Sequence, residues 1–271
     1  MTLAVTVAFL GGGNMATALI SGLCQAALSP ERIRVAEPDL QRRTTLQERF
    51  NVTVQADNRA VLSGADVVVV AVKPGVVAGV LQEVRSALAP HALILSIAAG
   101  ISLSRLSADL PPGQPVIRAM PNTPALIGAG MTVLCSGIGV DPPLLTMAQE
   151  IMRAAGNVTV VQDEKLMDAV TALSGSGPAY LYLVAEALSD GGVACGLPRD
   201  LADLLAQQTL LGSSRLLAES GQHPAILKSQ VTSPGGTTIA ALRRLEEHAV
   251  RSAFMEAVVA AWQRSRELNN A

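Results

Sequence analysis

Aromatic residues are scarce in this sequence: three Phe, two Tyr and one Trp make up 2% of the chain. Proteins that bind single-stranded nucleic acid stack bases on aromatic side chains, and few are available here. The formal net charge of −2 also provides no broad basic surface for a nucleic acid. The composition therefore argues against nucleic-acid binding and requires a core built from Ala, Val, Leu and Ile.

Cysteine is equally sparse, and its spacing matches no redox or zinc motif. Cys24, Cys135 and Cys195 are odd in number, far apart and never part of a CxxC pair. Free thiols in a reducing compartment are the simplest interpretation, so we expect a cytoplasmic protein. The three histidines are also far apart and begin no metal motif, so no metal site is expected.

The uncharged stretches do not suit membrane or export segments. The first charged residue is Glu31, but no positive charge precedes the apolar run and Gly11-Gly12-Gly13-Asn14 interrupts it, unlike a signal peptide. The stretch 119–140 contains Pro121, Pro124 and four glycines, which a membrane-spanning helix would not tolerate together. We expect no membrane contact.

What is present is an alternation of strand and helix patterns up to about residue 163. The stretch 65–72 (ADVVVVAV) is apolar at successive positions, as a parallel strand buried on both faces must be. Repeated alternation of this kind predicts an α/β, doubly wound sheet. The predicted strands are 3–10, 32–37, 51–55, 65–72, 93–98, 115–120, 131–135 and 157–162.

The second part of the chain reads as helical. Glycine- and proline-containing breaks at 196–198, 221–224 and 233–236 separate the helical patterns. We predict a boundary at residue 163, with a dinucleotide-binding domain at 1–163 and a helical domain at 164–271. The helices are too apolar for a solvated surface, which favours a homo-oligomer. The predicted helices are 165–173, 178–195, 200–220, 237–247 and 251–268.

The first predicted strand ends in a glycine motif. Gly11, Gly13 and Ala16 fit G-x-G-x-x-A, within Leu10-Gly11-Gly12-Gly13-Asn14-Met15-Ala16. The first glycine permits a tight turn, the second lets the backbone approach a pyrophosphate, and the small third residue allows close packing. The helix that follows presents N–H groups and a positive dipole end to phosphates. The motif predicts a nicotinamide dinucleotide site.

The form of the dinucleotide stays open at this point. Glu37 ends the second strand, where an acid would accept a hydrogen bond from the ribose hydroxyl of NAD. Arg42 and Arg43 follow closely and could instead pair with the 2′-phosphate of NADP, or could simply be solvated.

Two further strand ends and one loop are candidate ligand sites. Val72-Lys73-Pro74 and 96–100 (SIAAG) follow predicted strands, at the sheet edge where ligands bind in such folds. The loop 233–238 (SPGGTT) frees the backbone at two glycines and begins a helix, which suits a carboxylate. A plain capped helix explains that loop equally well. The catalytic motif G-x-S-x-G is absent, and neither tyrosine has a lysine four residues later. Hydride transfer is compatible with this lack of catalytic motifs, because the cofactor carries the chemistry.

With these residues in hand, the chain closely resembles the pyrroline-5-carboxylate reductases. The matching stretches run through almost the whole chain, and RAMPNTP and SPGGTT are far more specific than the glycine motif. They are FLGGGNMA at 9–16, AVKPG at 71–75, SIAAG at 96–100, RAMPNTPALIGAGMT at 118–132, LSGSGPAY at 173–180, GLPR at 196–199 and SPGGTTIAAL at 233–242.

The resemblance implies a Rossmann domain, a C-terminal all-α dimerisation domain, and reduction of 1-pyrroline-5-carboxylate to L-proline by NADPH or NADH. It implies a dimer, often assembled into a decamer. Position 37 varies in the family, and an acid there argues against a strong preference for NADP. The cofactor residues it implies, with Arg42 added from its position, are Leu10, Gly11, Gly12, Gly13, Asn14, Met15, Ala16, Glu37, Arg42, Asn58, Ala71, Val72, Lys73, Pro74, Ile97, Ala98 and Ala99.

For the substrate, the resemblance implies a site formed by Val231, Ser233, Gly236, Thr237 and Thr238. The carboxylate would meet the backbone of this loop, and the Thr238 hydroxyl would face the ring nitrogen. A threonine is a poor acid, so Thr238 is expected to orient the substrate or relay a proton from water. Two alternatives remain: a related reductase acting on another cyclic imine or a 2-hydroxy acid, and a non-catalytic dinucleotide-binding regulator.

Overall fold

The computed structural model describes residues 5–270, without the side chain of residue 270. Residues 3 and 4 of the first predicted strand lie outside this range. The chain divides into two compact units. The first comprises the described residues up to Ser176 and those from Ala261 onward, and the second is Gly177–Ala260.

The first unit contains an eight-stranded sheet in the order β3-β2-β1-β4-β5-β6-β7-β8. Each predicted strand is found, with ends that differ by a few residues; most strands are shorter than predicted, and β7 is one residue longer at each end. The strands are β1 Val7–Leu10, β2 Ile33–Ala36, β3 Thr53–Gln55, β4 Val67–Val70, β5 Leu93–Ser96, β6 Val116–Met120, β7 Gly130–Ser136 and β8 Gly156–Val161.

Helices cover both faces of the sheet, as the doubly wound prediction requires. In β1, Val7 and Phe9 belong to one hydrophobic core, while Ala8 and Leu10 belong to another on the opposite face. All four residues of β4 are buried, which explains its unbroken run of valine. The helices of this unit are α1 Asn14–Gln25, α2 Leu40–Phe50, α3 Val77–Val84, α4 Leu103–Ala108, α5 Pro142–Arg153 and α6 Leu166–Val170.

The sheet is not parallel throughout, which the sequence pattern did not indicate. β7 pairs antiparallel to β6, with Ile117 opposite Ser136, whereas the remaining strand pairs are parallel. Only residues 121–129 join the two strands, and they contain just a short 3₁₀ helix, Thr123–Ile127. A parallel return needs a crossover of about a dozen residues or more, so this connection reverses the chain.

After β8 the described chain forms helices and their connections. After α6 they are α7 Gly177–Ala194, α8 Arg199–Ser220, α9 Pro224–Gln230, α10 Thr237–Glu247 and α11 Val250–Asn270. The stretch from Thr171 to Gly175, which continues α6, is π-helical. The sequence prediction missed α9, because it treated Pro224 as a break. Pro224 instead occupies the first turn, where proline is favoured, and the His223 ring caps the helix by accepting from the Ala225 N–H.

The second unit has almost no core of its own. Ser189, Ala202 and Ala206 are its only buried residues, although α7 packs on α8. Ser189 accepts a hydrogen bond from Arg199 and donates one to Asp203, which ties these two helices together. Within residues 5–270, no helix is both long and apolar enough to cross a membrane.

Candidate active site

The turn after β1 strongly favours glycine at position 11. Gly11 has a φ of +99°, and a Cβ atom there would lie 2.9 Å from the carbonyl oxygen of Ala71. Its N–H donates to the Ala36 carbonyl at 2.8 Å, which anchors the turn to the neighbouring strand. A side chain would therefore both strain the backbone and collide with the next strand end.

Helix α1 begins at this turn with its first N–H groups uncapped. Its N-cap is Gly13, which offers no side-chain hydrogen bond, and its first turn holds no acidic residue. A Cβ built on Gly13 meets nothing within 4 Å, so the space in front of the helix is open. Uncapped N–H groups facing open space at a positive dipole end fit the pyrophosphate of a dinucleotide.

Glu37 follows β2 and is built into the same turn. Its Oε2 accepts from the Gly12 N–H at 2.9 Å, and its Oε1 accepts from the Asp39 N–H at 3.0 Å. The residue is only 5% exposed. The carboxylate therefore supports the backbone of the glycine turn, a role that the sequence did not reveal.

The two arginines considered for a 2′-phosphate differ in their availability. The Arg43 guanidinium donates to the backbone carbonyls of Glu37 at 2.7 Å and Pro38 at 2.8 Å. Arg42 instead lines an open pocket of about 430 Å³ beside the glycine turn, together with Gly12 and Asp39. Arg42 is therefore the arginine placed to meet a ligand in that pocket.

The remaining cofactor candidates gather at the same edge of the sheet. The Ala71 N–H donates to the Leu10 carbonyl at 2.9 Å, and the Ile97 N–H donates to the Val70 carbonyl at 3.1 Å. The segments 71–74 and 97–99 thus leave neighbouring parallel strands side by side, next to the glycine turn. Asn58 lies beyond the end of β3, where its amide nitrogen donates to Glu83 at 3.0 Å.

Sequence reasoning assigned no individual role to Asn122 of the RAMPNTP segment, yet its side chain joins three parts of the first unit. Its oxygen accepts from the Met131 N–H at 2.8 Å. Its nitrogen donates to the backbone carbonyl of Ser174 at 3.2 Å and to the Ser174 hydroxyl at 3.3 Å. The RAMPNTP and LSGSGPAY segments are therefore physically connected.

The five substrate candidates lie in the second unit, around the start of α10. Gly236 is the N-cap, without a side-chain hydrogen bond, and the first turn has no acidic residue. Gly235 has a φ of +68°, which glycine adopts at no steric cost. Val231, Ser233 and Thr237 are exposed, while Gly236 and Thr238 are half-buried. The uncapped helix start can receive a small carboxylate.

No cluster of three or more His, Cys, Asp or Glu suited to a metal ion occurs within residues 5–270. Burial raises the pKa of the Cys24 thiol, and burial with the nearby Glu164 carboxylate raises that of Cys135. Neither thiol is thus activated as a nucleophile, because reactive thiols have lowered pKa values.

Comparison with known proteins identifies the family. Residues 164–268 match the family model for pyrroline-5-carboxylate reductase dimerisation, and residues 6–100 match the model for NADP oxidoreductase, coenzyme F420-dependent. A pyrroline-5-carboxylate reductase of Synechocystis is 47% identical over 267 residues, which cover 98% of this chain and 99% of the relative. The chain belongs to the pyrroline-5-carboxylate reductase family.

Solved structures of this reductase family share the whole fold. The enzyme from Coxiella burnetii aligns with a TM-score of 0.92 at 39% identity, covering 97% of this chain and 98% of that one. The Plasmodium falciparum pyrroline carboxylate reductase, solved with NADP bound, aligns with a TM-score of 0.89 at 31% identity over 99% and 100% of the two chains. The predicted fold class is confirmed: a Rossmann-type α/β domain followed by the helical dimerisation domain of the family.

Proposed function

We propose that this protein reduces 1-pyrroline-5-carboxylate to L-proline with NADPH or NADH, the last step of proline biosynthesis. The observation that carries the proposal is the uncapped N-terminus of α10 at the SPGGTT turn. It is a second anion site in addition to the glycine turn, and it matches a substrate that bears a carboxylate. A dinucleotide-binding regulator has no need of such a site.

The dinucleotide, in this proposal, is held along the sheet edge of the first unit. The first-turn N–H groups of α1 hold the pyrophosphate, and Glu37, Arg42 and Asn58 lie on the adenosine side. The segments 71–74 and 97–99 receive the nicotinamide end, and the reduced ring supplies the hydride. Support comes from the open space before Gly13 and from the convergence of these strand ends.

The substrate carboxylate, in this proposal, is bound by the N–H groups at the start of α10, with Val231 and Ser233 beside it. Thr238 then orients the ring nitrogen through its hydroxyl. Since an alcohol is far too weak an acid to deliver a proton unaided, the nitrogen arrives protonated or is protonated by water that Thr238 holds. Fixed positioning of the imine supplies most of the rate.

We further propose that the protein acts as a homodimer in the cytoplasm, with pairs assembling into a decamer. The second unit supports pairing, because its exposed apolar residues include Tyr182, Leu183 and Leu211, each more than 60% exposed on the single chain. The three free thiols support a reducing compartment. We place the domain boundary at residues 163/164, in accord with the start of the dimerisation match at 164.

The assay that tests this function follows the absorbance of NADH and NADPH, in parallel, with purified protein and one of three substrates. They are 1-pyrroline-5-carboxylate, the six-membered imine 1-piperideine-2-carboxylate, and a 2-oxo acid. We expect turnover that is fastest with the five-membered imine. Faster turnover of another substrate would identify a different reductase. Tight dinucleotide binding without any turnover would favour a regulator.

A further inference from the structure

A cavity of about 480 Å³ adjoins the edge that the proposed function assigns to the nicotinamide. Pro74 and Ala99, from the two strand ends at that edge, form part of its wall. Other parts of the wall come from the π-helical stretch after α6 and from the end of α11, all within the first unit. The inference below rests on the dinucleotide site proposed above.

Three hydroxyl groups line this cavity, and two of them are already used. The Thr171 hydroxyl donates to the Met167 carbonyl at 2.8 Å, and the Ser265 hydroxyl donates to Asp168 at 2.7 Å. The third belongs to Ser176, which is half-buried. In the part of the chain that the structure describes, the Ser176 hydroxyl makes no hydrogen bond. A half-buried hydroxyl on a cavity wall gains by finding a partner in a ligand.

The backbone around Ser176 is fixed from two sides. Its own N–H donates to the Thr171 carbonyl at 2.9 Å, which closes the π-helical turn. Two residues earlier, the Asn122 amide holds both the carbonyl and the hydroxyl of Ser174. π-Helical insertions of this kind are frequent at functional sites. The Ser176 hydroxyl therefore lies on a segment whose backbone is held in place by hydrogen bonds, as a contact that positions a ligand requires.

The Ser176 hydroxyl and the apolar surface around it suit an uncharged polar group as the partner of that hydroxyl. Most of the cavity surface is apolar, including Ile101 and Leu268. Arg264, which also lines the cavity, already pairs its guanidinium with Glu267 at 2.6 Å. The Ser176 hydroxyl can both donate and accept, which suits an uncharged polar group. The ring and carboxamide of nicotinamide combine these two properties.

We propose that the Ser176 hydroxyl hydrogen-bonds the carboxamide of the bound nicotinamide and so sets the orientation of the ring at the sheet edge. Asn122 contributes as a positioning residue, through its bonds to Ser174. The two motifs RAMPNTP and LSGSGPAY thereby act together on the cofactor.

The test is a double-mutant cycle in which the carboxamide is one of the two deleted groups. Calorimetry measures the Kd of wild type and S176A for NAD⁺ and for the analogue whose pyridine ring carries no carboxamide. We expect S176A to weaken NAD⁺ binding about three- to tenfold, the usual worth of one hydrogen bond, and to leave the affinity for the analogue unchanged. S176C, of similar shape but a weak donor, should behave like S176A.

T171A is the matched control, because the Thr171 hydroxyl lies on the wall of the same cavity but is already bonded to the Met167 carbonyl. It should change the affinities for the two nucleotides by equal factors. An S176A effect that is the same for both nucleotides, or absent for both, would overturn the proposal. Turnover of the imine by wild type is measured separately. Normal turnover together with no coupling between Ser176 and the carboxamide would contradict this inference and leave the proposed function intact. Failure of wild type to bind NAD⁺ or NADH would sink both.

Discussion

The backbone N–H of Gly12 donates a 2.9 Å hydrogen bond to the side-chain carboxylate of Glu37. This bond joins the glycine turn, which we propose receives the pyrophosphate, to the end of β2, which we propose lies beside the adenosine ribose. One acid therefore supports the turn and, in the proposed binding mode, also places a buried negative charge near the 2′-phosphate of NADP. The free-energy cost of burying the Glu37 carboxylate is reduced by a second backbone donor, the Asp39 N–H.

From this arrangement we expect Glu37 to disfavour NADPH. In E37Q the charge is removed while size and one acceptor oxygen remain, so repulsion of the 2′-phosphate falls. The ratio of kcat/KM for NADPH to that for NADH should rise roughly tenfold, equivalent to about 1.4 kcal/mol. Steady-state kinetics with both cofactors measures the ratio.

E48Q is the control for this prediction, since Glu48 is an exposed acid on α2, the helix that follows Glu37. It should leave the ratio unchanged.

R42A should lower kcat/KM for NADPH and leave kcat/KM for NADH unchanged, because Arg42 lines the pocket beside the glycine turn. An unaltered ratio in E37Q would show that the carboxylate serves only the turn.

A second prediction concerns Gly11. The substitution G11A combines a positive φ with a Cβ 2.9 Å from the Ala71 carbonyl oxygen. G64A isolates the first effect, because Gly64 has a φ of +66° and nothing within 4 Å of its built Cβ. Urea unfolding should show a loss of about 1 kcal/mol for G64A and about 3 kcal/mol for G11A. Equal losses would mean that the strand end moves aside easily.

The third prediction concerns the hydroxyl of Thr238 at the first turn of α10. T238A should lower kcat about 10- to 100-fold, since the ring nitrogen loses the group that orients it, while T238S should retain most activity. The control is T146A, which removes an exposed hydroxyl bonded only to its own helix. Full activity in T238A would remove Thr238 from the mechanism.

The fourth prediction concerns assembly. Leu183 is 63% exposed in the second unit, and Leu40 is 69% exposed in the first. L183E should reduce the mass measured by light scattering to that of a smaller species, because it would bury a charge at the proposed pairing surface. L40E introduces the same charge outside that surface and should leave the mass unchanged. A wild-type monomer would contradict the proposed dimer directly.

The sequence predicted the layers of this fold better than its details. Runs such as β4 are apolar on both faces only in a buried parallel sheet, so strand positions followed from the pattern. The direction of β7 did not, because it depends on how a nine-residue connection closes in space. Pro224 illustrates a further ambiguity, since proline marks both breaks and helix starts.

The candidate site, like the fold, could be predicted from the sequence only in part. Glycine motifs and loop signatures can be found in a linear sequence, because glycine is used where the backbone needs conformational freedom. The inward turn of Glu37 and the bond from Asn122 to Ser174 leave no such mark. The Gly12–Glu37 bond joins residues 25 positions apart, and the Asn122–Ser174 bond joins residues 52 positions apart. Only the folded chain brings these atoms within hydrogen-bond distance.

The central claim is hydride transfer from a reduced nicotinamide to the C=N carbon of 1-pyrroline-5-carboxylate. It is tested most directly with NADH dideuterated at C4 of the nicotinamide and mass spectrometry of the product. The account predicts L-proline that carries one deuterium at C5, formed in proportion to the NADH consumed. Oxidation of the cofactor without deuterated proline, or no reaction from a folded protein that binds the dinucleotide, would contradict it.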